Sequence, residues 1–412
     1  MRKTTKNYRI QRLIFGLFVL FIWLGMMYYS RDVFPVDGDM KRAQLSWWNY
    51  LSVHGMQGVV TIGKDIDADY TSIWYVIIAL FGKLHLYPNL PVQYCIKMMA
   101  GFFTLLSSIA AFYIVKQFSA KDSWKPVITA ALFLFLPAFF LDVIKTNLPD
   151  SSYIALVLFS LLAFIKKKNW LAWLILGAAL PFKMMGIYFA PFLFFFYLRD
   201  FKENFLHKKW LEIVSPLFGI VGFLLLSFPG ILAGQSFSDA TIGTLLSRSA
   251  VGGLNYGFWD LLNAGKNWNW MPNIQMEQVA DMAKFGYLAM ILSFVILYSL
   301  LFNIKSIERQ DELSLNLLVL SPLICWLFMP AQHEGYFALA TVFSVILFII
   351  KPCRKNLIIA LLLNFILIEA NHGFYRVLGS ASSYEYLIVG IAVYQFYLVF
   401  RESEVFEHLK KE

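Results

Sequence analysis

The chain has 412 residues, 59% of them hydrophobic, 18% aromatic and 15% charged. A soluble domain carries about 25% charged residues, and apolar runs of about 17–25 residues, each able to cross a bilayer core, recur from end to end. This composition points to an all-α polytopic membrane protein. The runs are continuous rather than alternating, which argues against a β-barrel.

The net charge of +9 gathers in short clusters between apolar runs. It therefore reads as membrane topology and not as a nucleic-acid surface. Cys95, Cys325 and Cys353 are an odd number with no metal-ligand spacing, so neither a disulfide framework nor a metal site is expected.

In chain order, the basic N-terminus "MRKTTKNYRIQR" precedes a first apolar span at 13–30. No small-x-small cleavage site follows it, so it is expected to be a retained helix. Next comes a first outer loop, 31–95, with "VFPVDGDMKRAQLSWW". Asp37 and Asp39 are either solvated loop acids or a general base for a hydroxyl nucleophile. The segment 70–88 is apolar but does not fit as a crossing. It is expected to lie in or dip into the outer interface, with Trp74, Tyr75 and Tyr87 at headgroup level.

Further spans are expected at 96–116, 126–144, 151–165, 169–181, 184–198, 212–233, 284–304, 313–330, 336–350, 356–371 and 383–400. Lys/Arg clusters at 2–12, 116–125, 166–168, 199–209, 305–309, 351–355 and 401–411 are taken as cytoplasmic, which places both termini inside. Each interval between clusters then holds an outward and a return crossing, twelve in all. No internal repeat and no soluble domain is visible, so the whole of 1–412 is one membrane domain.

On the opposite, outer side lie polar groups at the ends of apolar runs, where ionisable residues face a cavity or a partner. Asp150, in "DVIKTNLPDSSY", either caps the following helix or serves a site. Lys183, in "ALPFKMMGIYFAP", sits beside a proline break in an apolar stretch. It either snorkels to the surface or meets an anion, from a carboxylate or a lipid phosphate. The largest outer loop, 234–283, carries Arg248 and Trp259; its aromatic residues either face a sugar or anchor the loop at the interface. "MPAQHEGYF" puts His333 and Glu334 at the outer end of a span. The pair lacks the i,i+4 spacing of a zinc helix.

These pieces, in this order, resemble the polyprenyl-phosphate-dependent membrane glycosyltransferases of the GT-C superfamily, in particular the bacterial mannosyltransferase-like branch. "DGDMKRAQLSWWNYLSVHG" looks like that branch's first outer loop, an acidic "GD" followed by a polar-aromatic stretch ending in glycine. "DADYTSIWYVIIAL", "LPAFFLDVIKTNLPDSSYIALVLF", "LGAALPFKMMGIYFAPFLFF" and "MPAQHEGYFALA" look like its later elements. The departures are Ser72 and Ile73 where prolines are usual, Asn147, Leu148 and Pro149 in place of Trp-Gly-Gln, Met185 in place of Gln, and Gly335 in place of Arg.

The resemblance implies a GT-C-like bundle of about twelve transmembrane helices, with interfacial helices in the first outer loop. It implies a plasma-membrane enzyme with its active site on the outer face, moving a mannose-like or glucose-like hexose. The partners would be a polyprenyl-phosphate-linked donor, a glycan or wall-polymer acceptor and the lipid bilayer, with no cofactor required. Asp39 would be the base, with Asp37 in reserve. Lys183, His333 and Arg248 would hold the donor phosphate. Asp150, Glu334, Tyr153 and Trp259 would position donor or acceptor. Two other classes remain open: a flippase or transporter of lipid-linked sugars, and an outer-face glycan polymerase.

Overall fold

A computed structural model describes residues 2–33, 44–66, 71–83, 92–141, 143, 150–241, 276–329, 335–372 and 381–403. The described chain is helical, with no strand among those residues. In order, the helices are α1 (Arg2–Tyr29), α2 (Leu45–Asp65), α3 (Ser72–Lys83), α4 (Val92–Gln117), α5 (Lys125–Phe135), α6 (Pro137–Leu141), α7 (Asp150–Ile165), α8 (Asn169–Ala179), α9 (Ala190–Leu206), α10 (Trp210–Ile213), α11 (Leu217–Leu232) and α12 (Phe237–Ala240). They continue with α13 (Met276–Phe302), α14 (Ile307–Ser314), α15 (Leu317–Phe328), α16 (Ala338–Ile350), α17 (Arg354–His372) and α18 (Ala381–Glu402).

The described residues of each of the twelve apolar segments fall on a helix or on helices interrupted by a turn. Among the described residues four stretches are long and apolar enough to cross a bilayer: Tyr8–Asp32, Val92–Gln117, Met184–Leu206 and Lys284–Phe302. α14 and α15, bent by 45°, make a fifth if taken as one broken span. Several others are short. α8 has 11 residues and is about 16 Å long at 1.5 Å per residue, roughly half of a 30 Å hydrocarbon core. Large apolar side chains are exposed along α1, α11 and α13, among them Phe21, Leu225, Leu232 and Phe285. Apolar belts of this kind face lipid or a partner and not water.

The chain forms two compact units, one of residues 1–187 with 209–248 and one of 188–208 with 249–412. In the first, α4 packs against α5 and α7, α7 against α8, and α8 against α11. The last pairing brings backbones together: a Cβ at Gly177 would collide with the Gly219 carbonyl, and one at Gly222 with the Leu174 carbonyl. Small residues allow this approach where water supplies no hydrophobic drive between helices. Hydroxyls inside the apolar helices bond back one turn, as from Thr104 to the Ala100 carbonyl and from Ser107 to the Phe103 carbonyl, both at 3.0 Å. No water is then needed to satisfy them.

α2 folds back on itself at Gly55, whose φ of 58° and ψ of −140° suit only glycine. The Tyr50 hydroxyl then reaches Thr61 Oγ1 at 2.6 Å and donates to Asp65. That carboxylate pushes the Tyr50 phenol above its usual range.

In the second unit, α15 packs against α9, α13, α16 and α18. Trp326 meets Phe337 edge-on at 5.6 Å, and Phe189 lies 5.4 Å from Phe343. Tyr298 donates to the Pro191 carbonyl. Arg199, within α9, bridges Asp200 and Asp311.

Candidate functional site

The first unit draws three separate sequence elements together around Lys183. α8 ends at Ala179, because Pro181 cannot continue the hydrogen-bond ladder. The chain turns through 180–183 into a 3-10 segment, Met184–Phe189. Irregular backbone of this kind is tolerated in a membrane protein where protein buries it. Here Gly186 lies against Ala179, Leu180 and Val157, and the Thr71 hydroxyl donates to the Pro181 carbonyl from the root of α3. Phe182 is held between Trp74 of α3, at 6.4 Å between rings, and Phe103 of α4, at 5.5 Å.

So clamped, Lys183 donates to the carboxylate of Asp150. The Lys183 side chain is 11% exposed and that of Asp150 is 3%. Asp150 stands in the first turn of α7, where the helix dipole favours an acid. Asp150 thus stands at the helix start and meets the cation. Lys183 does not snorkel to the surface. Ser151 donates to the Ala100 carbonyl of α4 at 3.2 Å. Tyr153 is fully buried one turn further along α7.

α3 also ties this cluster to the helix that follows the acidic loop. Trp47 of α2 meets Tyr75 edge-on at 5.6 Å, and Trp48 meets Phe81 at 6.4 Å. Tyr75 is the chain neighbour of Trp74, which packs on Phe182. Trp74 and Tyr75 are each only 2% exposed. Their rings fill the gaps between α3 and its protein neighbours. Gln235 donates to the Val59 carbonyl at 2.7 Å, and a Cβ at Gly230 would strike Ser72. α11 and the turn after it thereby close the far side of α3.

One residue at this end escaped the sequence reading. Lys97, in α4, is 2% exposed and donates to the carbonyls of Ser30 and Val33, the latter at 2.5 Å. Beside it, Tyr94 donates to Asp32 at 2.6 Å and receives Arg31 Nε at 3.1 Å. These contacts pin the last turn of the first span at the point where the acidic loop begins. The signal was present in the sequence, since Lys97 is a lone lysine in an apolar run like Lys183.

Of the expected site residues, Lys183 and Asp150 form this pair, and Tyr153 is buried on the same helix as Asp150. Asp37, Asp39, Arg248, Trp259, His333 and Glu334 lie outside the described residues. Among the described residues no group of three His, Cys, Asp or Glu side chains is clustered for a metal. No protein-family model and no curated protein matches the chain.

Proposed function

We propose that the chain is a polyprenyl-phosphate-sugar-dependent glycosyltransferase of the GT-C kind, a bundle of about twelve crossings with both termini on the face of the basic clusters. The observation that carries this reading is the meeting of "TSIWY" (71–75), "DSSY" and "LPFKMMG" at a buried Lys183–Asp150 pair. These are three of the five elements on which the family resemblance rests. The roots of the acidic loop, at Lys97 and at Trp47, are tied to the same end of the first unit.

In the reaction, Asp39 takes the proton of an acceptor hydroxyl, with Asp37 as the reserve base. The hydroxyl oxygen attacks the anomeric carbon from the face opposite the phosphate. The bond from that carbon to the phosphate oxygen breaks, its electrons stay with the departing polyprenyl phosphate, and the anomeric configuration inverts. Lys183, with His333 and Arg248, stabilises the growing phosphate charge. Asp150 fixes the Lys183 ammonium, and with Tyr153, Glu334 and Trp259 it orients donor or acceptor.

The test is the purified chain in detergent with a panel of polyprenyl-phosphate hexoses and candidate glycan acceptors. One donor should be consumed with release of polyprenyl phosphate. Asp39→Asn should lower that rate by about 10²–10⁴ without moving the melting temperature. If no lipid-phosphate sugar is consumed, the reading fails. If Asp39→Asn keeps the full rate while Asp37→Asn loses it, the base is Asp37.

A further inference from the structure

The opposite end of the first unit holds a cavity of about 760 Å³ between α1, α4 and α5. It arises because α1 leans on different neighbours at its two ends. Toward one end Trp23 and Met27 press on Gly101 of α4. Toward the other, Phe15 meets Trp124 edge-on at 5.8 Å at the start of α5. α4 and α5 are themselves joined by Ser108, which donates to the Ala130 carbonyl at 2.8 Å. The space left between the three helices is walled by apolar side chains, among them Leu17, Leu20, Leu105 and Val127.

One rim of this cavity is cationic. Arg9, Arg12, Lys116 and Lys121 line it. Arg12 is committed to structure: it donates to the carbonyls of Lys121 and Ser123, at 3.3 and 3.0 Å, and approaches Asp122 at 3.5 Å. That holds the α4–α5 turn against α1 and occupies the nearby acid. Arg9, Lys116 and Lys121 are exposed and form no ion pair with any described residue. Lys116 lies over the rings of Phe112 and Tyr113 at 5.8 and 5.7 Å.

We propose that this groove binds an anionic glycerophospholipid, its phosphate on Arg9, Lys116 and Lys121 and an acyl chain between α1, α4 and α5. A cationic mouth on an apolar slot matches a molecule that is an anion at one end and a hydrocarbon at the other. Basic pockets between transmembrane helices take headgroups in this way, and the volume falls within the range of about 300–1,000 Å³ of ligand pockets. The site is separate from the Lys183 cluster. Lys97 and Lys116 stand at opposite ends of α4, about 28 Å apart along the helix axis. The lipid is therefore one of the leaflet that faces the basic clusters, and the proposal stands whether or not the chain transfers sugars.

The full chain in neutral detergent is titrated with phosphatidylglycerol, phosphatidylcholine or inorganic phosphate. Bound lipid is counted by native mass spectrometry and melting is followed in parallel. Phosphatidylglycerol should bind and raise the melting temperature; the other two should not. The triple variant Arg9→Gln, Lys116→Gln, Lys121→Gln should bind phosphatidylglycerol about a hundredfold more weakly, at about fivefold per cation. Gly16→Leu fills the slot and keeps every charge, since a Cβ there meets only Val127, at 3.9 Å. It should also weaken binding. Melting in phosphatidylcholine checks that each variant is folded. Equal binding of phosphatidylcholine, equal protection by inorganic phosphate, or unchanged phosphatidylglycerol binding in either variant overturns the proposal.

Discussion

Lys183→Met removes one member of a buried ion pair and leaves the other in place. Asp150 keeps a carboxylate that is only 3% exposed, on a helix start packed against α4 through Ser151. Breaking such a pair from one side costs about 3–5 kcal/mol, because the remaining charge is neither solvated nor compensated. In a unit of this size that lowers Tm by about 10 °C. Removing both charges costs far less, since a buried pair gains in Coulomb attraction roughly what it loses in desolvation. The double variant Asp150→Asn, Lys183→Met should therefore melt well above Lys183→Met. The assay is thermal unfolding of the purified variants in one detergent, read as a double-mutant cycle. The reasoning is refuted if Lys183→Met melts within about 2 °C of the native chain, or if the double variant is no more stable than the single. The same proteins bear on function. A double variant that regains stability but transfers no sugar assigns the Lys183–Asp150 pair a role in the chemistry beyond stability.

Gly222→Ala should lower Tm substantially, by overpacking of about 1–3 kcal/mol, because its Cβ meets the Leu174 backbone. Gly219→Ala, whose nearest neighbour would be the Trp173 carbonyl oxygen at 3.5 Å, should melt like the native chain. Gly55→Ala should lose about 1–3 kcal/mol through backbone strain alone, seen as a lower Tm, since φ is 58° there. Lys97→Met should lower Tm by removing a buried donor to the Ser30 and Val33 carbonyls, of which the Ser30 carbonyl keeps the Val33 N–H at 3.0 Å, at about 1–3 kcal/mol. It should also open the chain between Asp32 and Trp47 to limited proteolysis.

The helices were legible because apolar length and proline act locally. Every run long enough to be singled out is helical, and the break before Lys183 falls where Pro181 predicts it. The partners of side chains were less legible, because packing between distant elements selects them. Lys183 and Asp150 each stand out as an ionisable group beside an apolar run, yet nothing in 33 residues of spacing pairs them. The pairing follows from α7 packing on α8 and α4. Trp47, Trp74 and Tyr75 show what composition leaves open. An aromatic residue near a membrane boundary suits a headgroup layer or a helix contact equally well, and the contacts come from the neighbours of α3. Gly177, Gly219 and Gly222 went unread for a related reason. Their use is to let α8 and α11 touch, and neither helix alone reveals that.

Lys97 joins these observations. A lysine buried beside or within an apolar helix needs acceptors, and among the described residues of the first unit Lys97 and Lys183 are both buried in this way. One is met by the carbonyls that end the first span and the other by Asp150. Ser151 bonds to Ala100, three residues from Lys97, so both cations lie at the same end of α4. The basic clusters at 2–12 and 116–125 mark the other end. Both lysines stand at the end where Val33 leads into the acidic loop, the end at which the proposed donor phosphate would bind. Lys97→Met therefore probes that end of α4 directly, because Lys97 lies near the start of the helix.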